Sequence, residues 1–205
     1  MRRSVPEPNP SITHISRVVF RYADYDTPVW ARANTATGRW NHPRTTATQY
    51  FSMTPEAAWA ELGRAENLRT DAEFSTVFAT IWAVQIDEAR VADYSTFERA
   101  ELAGFAPDAL IDDDYLRCQN EARRLQEAAF QGVIAPSAAL PGAQSLTLFG
   151  PRVRSEWGQP ALLASSVPCC AVARGSPATA VAERIRHFGA AHPTYMEFIA
   201  SKDDG

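Results

Sequence analysis

Residues 49–67 read QYFSMTPEAAWAELGRAEN, and the change of pattern inside this stretch decides the fold class. Gln49 to Met53 is a short run of β-formers and reads as a strand. A helix is predicted to start at Thr54. Threonine is a good N-cap, and Pro55 at the first helical position needs no partner for its missing N–H. Glu56 suits the positive end of the helix, and the helical pattern runs to about Asn67. A strand therefore passes directly into a helix.

Upstream, RVVFRYA at 17–23 is rich in β-formers and predicts another strand. Residues 24–46 are polar, carry Gly38 and Pro43, and read as a long loop. A loop of that length in a compact domain is functional or disordered. Residues 1–16 include three prolines and read as a loose arm.

Downstream, Val77 to Ile86 is strongly β, and Asp112, Asp113 and Asp114 are predicted to open a second long helix ending before Gly132. Val133–Ala135 is a short strand closed by Pro136 and Ser137. Ser145–Phe149 and Leu162–Ala173 are further strands. Ala178–Phe188 and Thr194–Ala200 are weaker helices. Strands and helices mix without strict alternation, which favours a single α+β domain over a doubly wound sheet. Its expected parts are an arm at 1–16, a core at 17–150, and a C-terminal strand and helices at 151–205 packed on the same domain.

The chain has 205 residues, 45% of them hydrophobic and 21% charged, which is ordinary globular composition. Net charge is −4, and no basic patch stands out, so direct nucleic-acid binding is disfavoured. Lys202 is the only lysine among 20 basic residues. Codon usage explains that bias, and so does an anionic ligand, since arginine offers phosphate a planar fork of donors. Cys118, Cys169 and Cys170 form neither a disulfide framework nor a metal pair. The opening MRRSVPEPNPS has no apolar run like that of a signal peptide. No stretch reaches transmembrane length. A reducing cytoplasm is the expected setting.

Familiar catalytic signatures are missing: there is no P-loop, GxGxxG or HExxH, and His14, His42, His187 and His192 are scattered. No metal site is expected. Glu61 is unusual, because its predicted helical neighbours are Ala57, Ala58 and Ala65. It is either solvated beside Arg64 or a carboxylate aimed into a cleft. Arg21 sits in an apolar strand, sharing a face with Val19 and Ala23. A buried arginine needs an anion, from the protein or from a ligand. Arg39 follows Gly38, where a flexible backbone lets a guanidinium approach a ligand. Tyr22, Trp40 and Tyr50 could stack on a planar ring or pack in the core.

Together these residues resemble the RES domain, named for its arginine, glutamate and serine. The resemblance spans roughly residues 17–150. It is carried by Arg21-Tyr22, GRWN at 38–41, Tyr50, Glu61, IAPSA at 134–138 and GAQSLTLFG at 142–150. The sequence departs from the family pattern at His42-Pro43-Arg44, at Ala139 and around Gln144-Ser145.

The resemblance implies a fold similar to ADP-ribosyltransferases, with a mixed β core and flanking helices. It implies a toxin that consumes NAD as substrate, needs no other cofactor, and is restrained by an antitoxin with a helix-turn-helix domain. The acceptor would be water, phosphate or a protein side chain. Under it, Glu61, Arg21 and Tyr50 are the expected catalytic residues. Arg21 and Arg39 would hold the pyrophosphate, and Tyr22 and Tyr50 would flank the nicotinamide. Trp40 and Asn41 would complete the NAD site. Ser137 would hydrogen-bond a ribose or the nicotinamide amide, not act as a nucleophile. A protein ADP-ribosyltransferase and a non-catalytic NAD-binding or partner-binding module are the other readings.

Overall fold

The computed structural model describes residues 9–23, 27–152, 170–175 and 179–203. Its strands are β1 (Ile12–Tyr22), β2 (Thr48–Ser52), β3 (Ala79–Asp93), β4 (Gly132–Pro136), β5 (Gln144–Phe149) and β6 (Cys170–Gly175). Its helices are α1 (Pro55–Ala65), α2 (Asp71–Ser75), α3 (Phe97–Leu102), α4 (Leu116–Glu127) and α5 (Pro193–Asp203), with 3-10 turns at Pro107–Leu110 and Thr179–Arg184. The domain is α+β, as the sequence predicts.

The strands lie in the order β1-β2-β5-β4-β3-β6, and β1 also pairs with β3. That pairing runs from Ile12 opposite Ala92 to Tyr22 opposite Ile81, so β1, β2, β5, β4 and β3 close into a ring. Among the described strands only β3 and β4 run parallel, Val91–Asp93 beside Gly132–Ile134. One face of the sheet buries Val19, Phe51, Ile86, Leu146 and Leu148. Full burial of each such side chain is worth about 1.5–3 kcal/mol. A second core lies under α3, α4 and α5 and includes Trp40, Tyr94, Phe97, Leu110 and Leu125. A third joins α1 and α2 to the turn at 179–184 through Ala57, Ala60, Phe74 and Ile185.

Helix α1 starts as its sequence dictates. The Thr54 hydroxyl accepts from the Ala57 N–H at 3.1 Å, and Pro55 occupies the first turn. Other boundaries differ. β1 begins at Ile12, inside the expected arm, because β3 is long enough to pair with it. Residues 1–8 of that arm lie outside the described residues. β3 continues past Ile86 through the charged DEARVAD, where pairing outweighs local propensity. The second long helix begins at Leu116, not at the aspartates. Those aspartates have other partners: Asp113 bonds Arg64, Asp112 bonds Arg117, and the Asp114 carboxylate accepts from the Leu116 N–H.

Of the expected strand at 162–173, residues 162–169 lie outside the described residues, and the strand seen is β6. The helix expected from Ala178 is a 3-10 turn from Thr179 to Arg184; Ala178 itself is outside the described residues. β6 joins the same sheet. Among the described residues, no helix is long and apolar enough to cross a membrane.

Candidate active site

A cavity of about 720 Å³ opens between β1, β2, α1 and the loop before β2. That is within the usual size range of small-molecule sites. Strand β1 contributes Arg21 and Tyr22, the loop contributes Trp30 and GRWN at 38–41, β2 contributes Tyr50, and α1 contributes Glu61 and Arg64. The cavity thus gathers Arg21, Tyr22, Arg39, Trp40, Asn41, Tyr50 and Glu61, which the sequence singles out. Ser137 stands just behind its wall.

The loop before β2 is ordered by its own polar side chains. Asn34 and the Thr48 backbone bond reciprocally, Nδ2 to the Thr48 carbonyl at 3.0 Å and Oδ1 from the Thr48 N–H at 2.7 Å. Gln49 does the same with the Trp30 backbone, at 2.8 and 2.9 Å. From α4, Gln119 Nε2 donates to Thr37 Oγ1, the Gly38 carbonyl and the Asn41 carbonyl at 2.9, 2.9 and 3.1 Å.

Tyr50 locks the GRWN turn. Its hydroxyl accepts from the Trp40 N–H at 2.9 Å and donates to Asn41 Oδ1 at 2.7 Å. A Cβ at position 38 would stand 2.5 Å from both the Tyr50 hydroxyl and Asn41 Oδ1, so the turn needs glycine there. Burial raises the Tyr50 hydroxyl well above its ordinary value, which keeps it a donor.

Two expected ligand contacts become scaffold. Trp40 is only 2% exposed and belongs to the core, so its ring is not a stacking platform. Asn41 spends its amide on the Ala36 and His42 carbonyls and on Tyr50.

Three arginines line the cavity among the described residues, each lying over an aromatic ring. Arg21 is 4.5 Å from the Trp30 centroid, Arg39 4.8 Å from Tyr115, and Arg64 4.3 Å from Phe188. Arg21 donates to the Pro28 carbonyl at 3.0 Å, and no carboxylate among the described residues pairs with it. Burial lowers its guanidinium to about 10, still cationic at neutral pH. Arg39 donates to the Ala109 and Asp112 carbonyls, at 3.2 and 2.6 Å. Among the described residues no carboxylate forms an ion pair with either arginine, and none supplies the anion that the buried position of Arg21 calls for.

Glu61 is the only carboxylate lining the cavity among the described residues. Part of its surface faces the cavity, while protein surrounds the rest. Ala57 and Ala58 beneath it are buried at 0% and 1% exposure. The Ser137 hydroxyl donates to Glu61 Oε1 at 3.1 Å. Desolvation raises the Glu61 carboxyl above its ordinary value, while Arg64, Ser137 and Arg39 pull it down. Arg64, one helical turn along, is buried and bonded to Asp113 Oδ1 at 2.6 Å and to the Ala138 carbonyl. It faces the cavity with Glu61 instead of pairing with it in solvent.

Ser137 is 1% exposed, so it touches Glu61, not the cavity. His192 reaches the Ser137 backbone, with Nε2 3.1 Å from the carbonyl oxygen and Nδ1 3.0 Å from Thr194 Oγ1. Burial lowers its pKa, so the ring is neutral, donating from Nε2 to the carbonyl. It is not a base for the Ser137 hydroxyl. Sequence reasoning missed Trp30, Arg64, Tyr115, Gln119 and Phe188 as parts of the site. Only Arg64 carried a signal, its spacing of three residues from Glu61.

The RES domain family model matches residues 14–167. The chain belongs to the RES domain family. A probable NAD(+) phosphorylase of Mycobacterium tuberculosis is 28% identical over 130 residues, covering 60% of this chain. The match spans 59% of the length of that curated relative. The crystal structure of the M. tuberculosis MbcT–MbcA toxin–antitoxin complex contains a chain with a TM-score of 0.59 and 21% identity. That match covers 88% of this chain and 92% of the other, and is a likeness of fold. Within the stretch matched to the RES domain lie Arg21, Arg39, Tyr50, Glu61 and Ser137; Phe188 and His192 lie beyond it.

Proposed function

We propose that this RES domain cleaves the nicotinamide–ribose bond of NAD and acts as a toxin by depleting NAD. The observation that carries the reading is the charge layout of the cavity. One carboxylate, Glu61, shares it with Arg21 and Arg39, which no side-chain carboxylate among the described residues neutralises.

The chemistry needs that layout. Breaking the bond passes through an oxocarbenium-like state on the ribose, for which most glycosidases need a second carboxylic acid to protonate the leaving group. Nicotinamide in NAD is already cationic; the C–N electron pair leaves with it and it departs neutral. One carboxylate therefore suffices. Glu61 stabilises the developing positive charge, held in place beforehand by Ser137. Arg21 and Arg39 bind the pyrophosphate through charge-assisted hydrogen bonds. Tyr22 and Tyr50 shape the nicotinamide slot. The bound cation also favours the ionised form of Glu61, against the desolvation that raises its pKa.

An oxygen of the acceptor then bonds to the ribose carbon and loses its proton to solvent. The M. tuberculosis relative, a probable NAD(+) phosphorylase, supports phosphate as acceptor, with water as the other candidate. The fold likeness to a chain of a toxin–antitoxin complex supports an antitoxin partner, which we take to carry a helix-turn-helix domain, and the NAD consumed would be cytoplasmic.

The test is incubation of purified protein with NAD, with and without inorganic phosphate, followed by chromatography. Release of nicotinamide with ADP-ribose phosphate or ADP-ribose is expected. Labelled protein in a cell extract without free ADP-ribose would replace this reading with protein ADP-ribosylation. Unchanged NAD would overturn the enzyme reading.

A further inference from the structure

Residues 179–203 lie beyond the stretch matched by the family, yet Phe188 from this segment lines the cavity. The Arg186 N–H donates to the Ala139 carbonyl at 2.8 Å, and its guanidinium donates to the Ile111 carbonyl at 3.0 Å. The Gly189 N–H donates to Asp113 Oδ2 at 2.6 Å. Gly189 has φ +77°, a conformation that favours glycine, and it closes the tight turn in which the Ala190 N–H reaches the His187 carbonyl. Between these anchors stands Phe188. Arg64 covers one face of its ring at 4.3 Å, the ring lines the cavity, and the residue is 50% exposed.

A large apolar ring held by backbone anchors, yet half open, does little for the core. It is instead a preorganised surface, and binding to such a surface costs little ordering. Its position indicates which part of the ligand it meets. Phe188 packs on the Arg64 guanidinium, the charge that acts most strongly on the Glu61 carboxylate, and this links the ring to the carboxylate end of the cavity. The same arrangement of a guanidinium over a cavity-lining ring recurs with Trp30 and Tyr115 on the other walls.

We propose that Phe188 is a specificity-determining residue whose open aromatic surface packs against the planar ring of the ligand nearest Glu61. Resting on the NAD reading above, that ring is nicotinamide, and the C-terminal segment is part of the active site. Aromatic pairing beyond simple area burial sets the scale, so losing the ring should weaken NAD binding on the order of tenfold.

The test titrates wild type, Phe188→Ala, Phe188→Leu and Phe188→Tyr with NAD and with ADP-ribose, and follows nicotinamide release. Melting curves accompany each variant; because Phe188 is half exposed, folding should survive. Phe188→Ala is expected to raise Kd and KM for NAD with kcat far less affected, and to leave ADP-ribose affinity unchanged. Tyr should retain NAD affinity and Leu should lose it. Equal loss for NAD and ADP-ribose would overturn the nicotinamide contact. A Leu variant that binds like wild type would overturn aromatic packing, and so would an Ala variant with unchanged Kd and KM. A wild-type protein that binds no NAD overturns the functional reading, and this inference with it.

Discussion

The Ser137 hydroxyl donates to Glu61 Oε1 at 3.1 Å, and its direction is fixed. The same oxygen accepts from the Ala139 and Leu140 N–H groups at 3.2 and 3.1 Å. Both lone pairs are used, so its one proton points at the carboxylate. Glu61, on α1, is thereby oriented before any ligand arrives, by a serine that follows the end of β4.

Ser137→Ala should therefore do two things. Two buried N–H groups lose their acceptor, each costing about 1–3 kcal/mol, so the melting temperature should fall. Glu61 loses a bond that favours its ionised form, so the acid limb of the kcat profile should move to higher pH. Melting curves and a pH–rate profile check both. A drop in stability with an unmoved acid limb would reduce Ser137 to a turn former.

Glu61→Gln should abolish turnover while NAD binding persists. Losing one preorganised electrostatic contact costs on the order of a hundredfold to a thousandfold in rate. The same change should leave stability equal or higher at pH 7 to 8. Desolvation raises the carboxyl of the folded state above its ordinary 4.5. The folded state thus binds the proton more tightly than the unfolded chain does. The cost of the charge is present above the folded-state pKa and vanishes below the unfolded value. Any melting-temperature advantage of Glu61→Gln should accordingly shrink as pH falls through this window. An unimpaired rate would remove Glu61 from the chemistry; a lower melting temperature at pH 8 would contradict the desolvation argument.

Much of this site was legible because its parts carry local signals. Thr54 and Pro55 mark the start of α1, and the alanine face under Glu61 singles out that carboxylate, although it leaves a solvated glutamate and a cleft carboxylate both open. Arg21 in an apolar strand called for an anion. What the sequence hid was tertiary. Ser137 and Glu61 are far apart in the chain, and nothing local shows that the hydroxyl meets the carboxylate instead of a ligand. Trp40 and Tyr50 look alike as aromatics, yet burial makes one core and the other a lock on a turn. Phe188 gave no signal, since only the return of residues 185–192 across Asp113 brings it to the cavity. One local signal was overlooked: Thr70 and Glu73 form a capping box at the start of α2.

Arg21→Met and Arg39→Ala should separate binding from scaffolding. Among the described residues Arg21 donates to the Pro28 carbonyl, and it lies over Trp30. Methionine keeps the apolar stem and removes the charge, so NAD affinity should fall with little change in melting temperature. A charge-assisted hydrogen bond contributes about 1.5–3 kcal/mol. Arg39 also ties the GRWN turn to the Ala109 and Asp112 carbonyls, so its loss should cost affinity and stability together. Calorimetric titration beside thermal melting distinguishes the two. Unchanged NAD affinity in Arg21→Met would return that arginine to a structural role.

Tyr50→Phe isolates the lock on the GRWN turn. The ring, and any packing against the ligand, survives; only the hydroxyl is lost. That hydroxyl serves the Trp40 N–H and Asn41 Oδ1, in residues 2% and 4% exposed. Neither group can turn to water, so the variant should lose on the order of 2 kcal/mol. For a chain of this size that is roughly 4–8 °C in melting temperature. Arg39 stands between Gly38 and Trp40 on the loosened turn, so KM for NAD should rise as well. The loss is bounded, because Gln119 still holds the Gly38 and Asn41 carbonyls from α4. kcat should change least, since Glu61 and Ser137 do not depend on this turn. Steady-state kinetics and melting curves of the two proteins decide it. A variant with wild-type stability and KM would show that the turn stands without Tyr50; a collapse of kcat at unchanged KM would place the hydroxyl in the chemistry instead.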